Sequence, residues 1–378
     1  MSKTKKKNRL TVWIILTVVF ALVAVGCSAG INMVKNYRQQ RLETLQQEAE
    51  DTNRAREEQY ISDLAEFEQQ STGGANLAWP TQKSEGWDII DLTNYPLEDP
   101  RTVSMTRSQL MATGMLLVNQ WHSRPDDFVN VEGEIVSVGK YSEGTIPVRN
   151  YDVKLFPAAI DALHNAISAA ETEGHKHYMV SEGYRTWEEQ NTMFQKKVDA
   201  LSGKYSGDEL IEQAKRQVNY PGTSEFNSGL SFTLRLYSRE DASVGKPAYS
   251  TTEAGQWMNE NCWKYGLVFR FPLADFPSKG TADKSYKTGV GTQLNLYRYV
   301  GEGNAAVMHV KDFCLEEYVD YLAEHPHIAV FEDGRLRYEI IRQYVGDSDT
   351  VSVQYPGKAR SFDSSLDNMG YVITVCKY

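Results

Sequence analysis

Tyr220-Pro221-Gly222-Thr223-Ser224-Glu225-Phe226-Asn227-Ser228-Gly229-Leu230-Ser231-Phe232-Thr233-Leu234 changes character halfway along. It opens on a Pro-Gly turn, continues through a polar approach and pivots at Gly229. It ends in a run whose period of two predicts a half-buried strand from Leu230 to Leu234. A polar loop feeding a core strand is a common place for functional side chains on a rigid support.

The surroundings extend this reading. Upstream, Tyr178-Met179-Val180-Ser181 reads as a short buried strand, Glu182-Gly183-Tyr184-Arg185-Thr186 as the turn after it, and Trp187 to Phe194 as a helix. Further back, Phe156, Ile160, Leu163, Ile167 and Ala170 form a helical stripe within Leu155 to Glu173. Lys197 to Val218 is a polar helical insertion. Downstream, Trp257 to Leu267 reads as a helix ending at Gly266, with Trp257 and Trp263 in the core, leading into a strand at Val268-Phe269-Arg270-Phe271-Pro272. Phe313 to Leu322 reads as a closing helix. The expected fold is α+β: a small, mostly antiparallel sheet carrying Val180, Leu230 to Leu234 and Tyr297 to Val300, flanked by helices.

These segments resemble the VanY-type D-alanyl-D-alanine carboxypeptidases, zinc metallopeptidases that trim cell-wall peptides. The family signature is Ser-x-His, six further residues, then Asp, with a later Glu-x-x-His before Arg-Tyr-Val-Gly. Ser224-Glu225 and Gly229-Leu230 fit, but Phe226 stands at the first histidine and Thr233 at the aspartate. Arg298-Tyr299-Val300-Gly301 is present, and counting back puts Leu296 at the second histidine and Gln293 at the catalytic glutamate. Gly183-Tyr184-Arg185, with Gln190 five residues on, matches another signature. The resemblance covers roughly Arg107 to Leu322. It implies a substrate cleft lined by Tyr184, Arg185, Gln190 and Ser224, in which a planar guanidinium faces a terminal carboxylate.

The departures bear on chemistry. A catalytic zinc of this kind takes three ligands from His, Asp or Glu and keeps an open position for water. Of Phe226, Thr233 and Leu296, the threonine alone has a coordinating atom, and a neutral hydroxyl is a poor zinc ligand. Gln293 cannot accept a proton as a carboxylate does. The altered signature therefore implies no intact catalytic residue and no bound cofactor, the family zinc being lost. The expected protein binds a peptidoglycan stem peptide or a cell-wall partner. An active D,D- or L,D-carboxypeptidase and a membrane-tethered scaffold are the alternatives. His175 and His177 read as an exposed loop, and His325 and His327 as a boundary segment of the same kind, so neither pair rebuilds a metal site. No Gly-x-Ser-x-Gly is present.

Length and charge set the context. The chain has 378 residues, 41% hydrophobic and 24% charged, enough for one large or two modest globular domains. Net charge is −10; Lys3, Lys5, Lys6, Lys7 and Arg9 contribute +5, leaving −15 for the remainder, which argues against nucleic acid as a partner. Leu10 to Ile31 holds 22 residues without a charge. At about 1.5 Å per residue that crosses a bilayer core of about 30 Å. The basic cluster before it predicts an extracytoplasmic C-terminal body on a single-pass anchor in the cell membrane. Lipidation at Cys27 after Val25-Gly26 is the rival anchoring mode. Cys262, Cys314 and Cys376 are too few and too scattered for a disulfide framework, and read as buried thiols. The expected plan is a basic tail (1–9), a span (10–32), a polar helical stalk with weak coiled-coil character (33–70), an extended linker (71–106), the carboxypeptidase-like domain (107–325) and a C-terminal β subdomain (326–378).

Overall fold

The computed structural model describes residues 78–291 and 293–378. The expected tail, span, Cys27, stalk and start of the linker lie outside the described residues. Among the described residues, no helix is long and apolar enough to cross a membrane.

The alternating run at the centre of the sequence becomes β6 (Ser231–Leu236) of a four-stranded antiparallel sheet. Its neighbours are β5 (Tyr178–Glu182) and β8 (Leu296–Tyr299), with β7 (Leu267–Phe269) beyond β8. Strand alternation sends Phe232 and Leu234 to one face, where they join Ile160, Leu163 and Ile167 of the helix Pro157–Thr172 and Trp257 and Met258 of the helix Glu253–Asn261. Pro157 opens its helix at a position where the missing N–H has no intrahelical partner anyway. Leu163 is fully buried, and truncating such a side chain to alanine costs about 2–5 kcal/mol. The opposite face of β6 carries Ser231 and Thr233, and it is there that the chemistry-bearing side chains collect.

Register across this sheet is specific. Thr233 lies opposite Leu296 on one side and opposite Glu182 on the other. Between Val180 and Glu182 the ladder slips, leaving Ser181 as an extra residue, and its Oγ lies 2.8 Å from Thr233 Oγ1. A bulge of this kind bends the strand and re-aims the side chains that follow it.

A second sheet runs in the order β1 (Trp87–Asp91), β9 (His327–Glu332), β10 (Arg335–Tyr344), β13 (Tyr371–Lys377) and β12 (Ser361–Leu366). Asp333 and Gly334 between β9 and β10 both have positive φ, 50° and 73°, as a tight hairpin turn requires. β2 (Pro100–Thr106) pairs with β11 (Thr350–Pro356) along its whole length, and the short strands β3 (Val136–Ser137) and β4 (Lys154–Leu155) pair with each other. The segment expected as an extended linker thus supplies two strands to the C-terminal β region. That region also shares a core with the helices Glu302–Lys311 and Leu315–Glu324 through Val307, Tyr318, Val319, Ile328, Ile340 and Ile373. Gly303 permits the close approach, since a Cβ there would stand 2.5 Å from Val375.

The expectation for His325 and His327 is corrected in part. His327 is 7% exposed within β9, with Nε2 2.7 Å from Glu339 and Nδ1 3.1 Å from the Tyr95 carbonyl, whereas His325 stays half-buried beside Asp91. Pairing in the sheet, invisible to local composition, buries it. Cys262, Cys314 and Cys376 are buried free thiols, each pushed up to about 12 by burial.

Candidate functional site

The loop before β6 and the turn after β5 are zipped together by backbone and amide hydrogen bonds. Glu225–Ser228 forms a single 3-10 turn that ends at Gly229 in the left-handed region, φ 71°. A Cβ at Gly229 would also meet the Phe156 ring at 2.9 Å, so the pivot admits no side chain on either count. Asn227 accepts from the Ser224 N–H at 3.2 Å and donates to the Arg185 carbonyl at 2.6 Å. The Arg185 N–H in turn donates to the Phe226 carbonyl at 3.1 Å.

That zip sets Arg185 over Phe226, with the guanidinium carbon 4.8 Å from the ring centroid. Contacts of this type contribute about 0.5–2 kcal/mol according to exposure. Arg185 Nη1 donates to Gln190 Oε1 at 2.7 Å and Nη2 to Glu182 Oε2 at 3.1 Å. Burial lowers the arginine's affinity for its proton, while Glu182 and Glu189 act against that effect. Gln190, expected to line the cleft, is instead 1% exposed and donates to the Asn219 carbonyl at 2.6 Å. It holds Arg185 from behind. Tyr184 donates to Glu132 at 2.8 Å and accepts from Arg124 at 3.0 Å, and burial pushes its hydroxyl well above the usual phenol range. Ser224 is buried in the loop.

Below the guanidinium, Phe226, Phe271 and Leu296 form one apolar cluster with Val290 against it. Phe226 and Leu296 therefore share one cluster, although 70 positions separate them, because the turn that carries Phe226 leads into β6, the neighbour of β8. Thr233 stands across from Leu296 with its hydroxyl engaged by Ser181. Gln293 is half-buried on the approach to β8. This set of residues does not fit a zinc ion, since phenylalanine and leucine carry no donor and the threonine is neutral and already hydrogen-bonded. Among the described residues, no group of three or more His, Cys, Asp or Glu side chains is placed to hold a metal ion.

Next to the apolar cluster lies a buried ionic network that sequence reasoning missed. Glu225 accepts from Arg270 Nε at 2.8 Å, from Arg298 Nη1 and from Ser231 Oγ at 2.7 Å. Arg270 continues to Glu316 through two hydrogen bonds of 2.9 and 2.7 Å, and Asn119 donates to the same carboxylate at 3.0 Å. Arg298 also donates to the carbonyls of Gly114 and Leu116 at 2.6 and 2.8 Å. Burial pushes the Glu225 and Glu316 carboxyls up, but the neighbouring guanidinium charges outweigh it and hold both below their ordinary values. The available signal was Arg270 itself, a charge inside the apolar run Val268 to Phe271, since an arginine so placed is rarely buried without a partner. At the far end of β6, a separate pocket of about 370 Å³ is lined by Arg235, Leu236, Pro247, Tyr249, Leu294 and Asn295 among others.

Comparison with known proteins places this architecture. Residues 152–301 match the family model described as VanY, D-alanyl-D-alanine carboxypeptidase. A D-alanyl-D-alanine carboxypeptidase of Enterococcus faecium is 28% identical over 280 residues, covering 74% of this chain and 80% of that protein. The bifunctional D-Ala-D-Ala dipeptidase and D-Ala-D-Ala carboxypeptidase VanXYC of Enterococcus gallinarum is 29% identical over 178 residues, 47% of this chain and 84% of that protein. Among solved structures, the vancomycin-resistance D,D-dipeptidase VanXYg, in complex with a D-Ala-D-Ala phosphinate analogue, shares the fold. It covers 74% of this chain and 99% of its own, with a TM-score of 0.53 and 22% identity. With the signatures at Tyr184-Arg185, Ser224 to Leu230 and Arg298 to Gly301 lying inside the matched segment, residues 152–301 form a VanY-like segment, similar to the D-alanyl-D-alanine carboxypeptidases.

Proposed function

We propose that this domain binds the carboxylate-bearing end of a peptidoglycan stem peptide without hydrolysing it, on a protein held outside the cell membrane by residues 10–32. The reading rests on one observation above all: Phe226 and Leu296 belong to one apolar cluster, with the Arg185 guanidinium over the Phe226 ring, at positions where the family resemblance calls for zinc ligands. Hydrolysis by this family's chemistry needs a metal-activated water and a carboxylate to take its proton. Neither is available from Phe226, Thr233, Leu296 and Gln293. Recognition needs less: a guanidinium held by Gln190 and partly open to solvent is suited to a carboxylate. The relatives support the ligand class, since the E. faecium protein is named for D-alanyl-D-alanine and VanXYg is bound to a D-Ala-D-Ala analogue.

The test is calorimetric titration of the full-length protein with N-acetyl-D-Ala-D-Ala, together with an assay for released D-alanine. Binding that Arg185→Ala abolishes, with no D-alanine released, is the expected result. Release of D-alanine dependent on stoichiometric zinc would establish an active carboxypeptidase and overturn the proposal. Absence of binding would leave the cleft without its ligand class.

A further inference from the structure

Resting on that reading of the Arg185 cleft, we infer that the group it takes best is a zwitterionic α-amino acid centre, an ammonium beside a carboxylate, rather than a carboxylate alone. Arg185 is not a free cation. Its Nη2 donates to Glu182, and the Glu182 side chain is 45% exposed against 18% for Arg185. Its Nη1 is occupied by Gln190. A ligand with only a negative charge must displace Glu182 from Nη2 or sit beside it, and two carboxylates crowded on one guanidinium repel.

A ligand carrying both charges on one carbon meets no such conflict. Its carboxylate faces Arg185, its ammonium faces Glu182, and the four groups alternate in sign. The two protein charges are also held in place. Glu182 follows the Ser181 bulge and lies opposite Thr233, while Arg185 is fixed by the Phe226 carbonyl and by its position over the Phe226 ring. Glu189, the other carboxylate acting on Arg185, accepts the Thr186 N–H at 2.8 Å and caps its helix. Glu182 is therefore the carboxylate left to receive a ligand's ammonium. The sources of such a group are a free amino acid and a peptide bearing an unblocked α-amino acid centre.

The experiment titrates the full-length protein with D-alanine (zwitterion), N-acetyl-D-alanine (anion) and D-alaninamide (cation), for wild type, Glu182→Gln and Arg185→Gln. Wild type should bind D-alanine about tenfold or more tighter than either blocked form, a difference of about 1.4 kcal/mol. Glu182→Gln should remove that preference by weakening D-alanine and strengthening N-acetyl-D-alanine severalfold. Arg185→Gln should weaken both carboxylates. The two variants test opposite halves of the pair, and Glu182 is exposed enough for its substitution to spare the fold. Equal binding of D-alanine and N-acetyl-D-alanine by wild type, or an unchanged order in Glu182→Gln, overturns the inference. If N-acetyl-D-Ala-D-Ala still binds through Arg185 in that case, the zwitterion inference falls and the peptide reading stands. Binding of D-alanine without binding of the acetylated dipeptide points to a free amino acid and leaves the inference intact. Failure of every probe at millimolar concentration removes both.

Discussion

Replacing Glu225 by glutamine isolates the buried network that supports the cleft. In the native protein two carboxylates, Glu225 and Glu316, balance two guanidiniums, Arg270 and Arg298, with every member under 9% exposed. After the substitution Arg270 keeps its paired hydrogen bonds to Glu316. Arg298 retains only neutral acceptors, the carbonyls of Gly114, Leu116 and Tyr299 and the new amide oxygen, leaving one uncompensated positive charge in the interior. Breaking a buried pair from one side costs about 3–5 kcal/mol. With a urea m-value of about 3 kcal/mol/M, the unfolding midpoint should fall by about 1–1.7 M. Tryptophan fluorescence against urea reads this directly. Glu98→Gln is the control, because Glu98 and Lys358 are both more than half exposed, and such pairs contribute about 1 kcal/mol or less. Adding Arg298→Met to Glu225→Gln should recover part of the loss by rebalancing the charge. A Glu225→Gln midpoint indistinguishable from that of Glu98→Gln would refute the account of the network.

Three further outcomes are expected. Because Arg270 and its neighbours hold Glu225 and Glu316 below their ordinary value of 4.5, their stabilisation is complete above that pH and is lost as pH falls through the lower folded values. The wild-type urea midpoint should therefore drop below pH 4.5 more steeply than that of Glu225→Gln, and parallel slopes would contradict this. Restoring Phe226→His, Thr233→Asp, Leu296→His and Gln293→Glu together should yield about one zinc per chain by elemental analysis, whereas no single change should, since three ligands are needed at once. A folded quadruple variant that ignores zinc would show that these positions do not converge as a metal shell. Protease added to intact cells or protoplasts should digest the chain beyond residue 32, and full protection would place the body on the other side of the membrane.

Local pattern alone determined much of this protein. The period of two in Leu230 to Leu234 specified a strand with one apolar face, and the stripe from Phe156 to Ala170 specified the helix that covers it, because each face must be apolar where it packs; the half-buried expectation is corrected, since Ser231 and Thr233 on the other face are buried as well. Asp333-Gly334 specified the hairpin of the C-terminal sheet through its backbone freedom. Signature spacing singled out Phe226, Thr233, Leu296, Gln293 and Arg185. Periodicity could not supply partners. Glu225 finds Arg270 and Arg298 at separations of 45 and 73 residues, and the strands Trp87–Asp91 and Pro100–Thr106 find theirs in the last quarter of the chain. The polar run Ser361 to Leu366 becomes a strand through pairing with Tyr371–Lys377 rather than through its own composition. His327 is buried by the same sheet, and Gln190 turns inward to hold Arg185. A charged or amide side chain is tolerated inside only where its hydrogen bonds are met. Arg185 finds Glu182 and Gln190 within five residues of itself, but the partners of Glu225 come from distant strands, so only the tertiary structure decided that this carboxylate lies buried between Arg270 and Arg298.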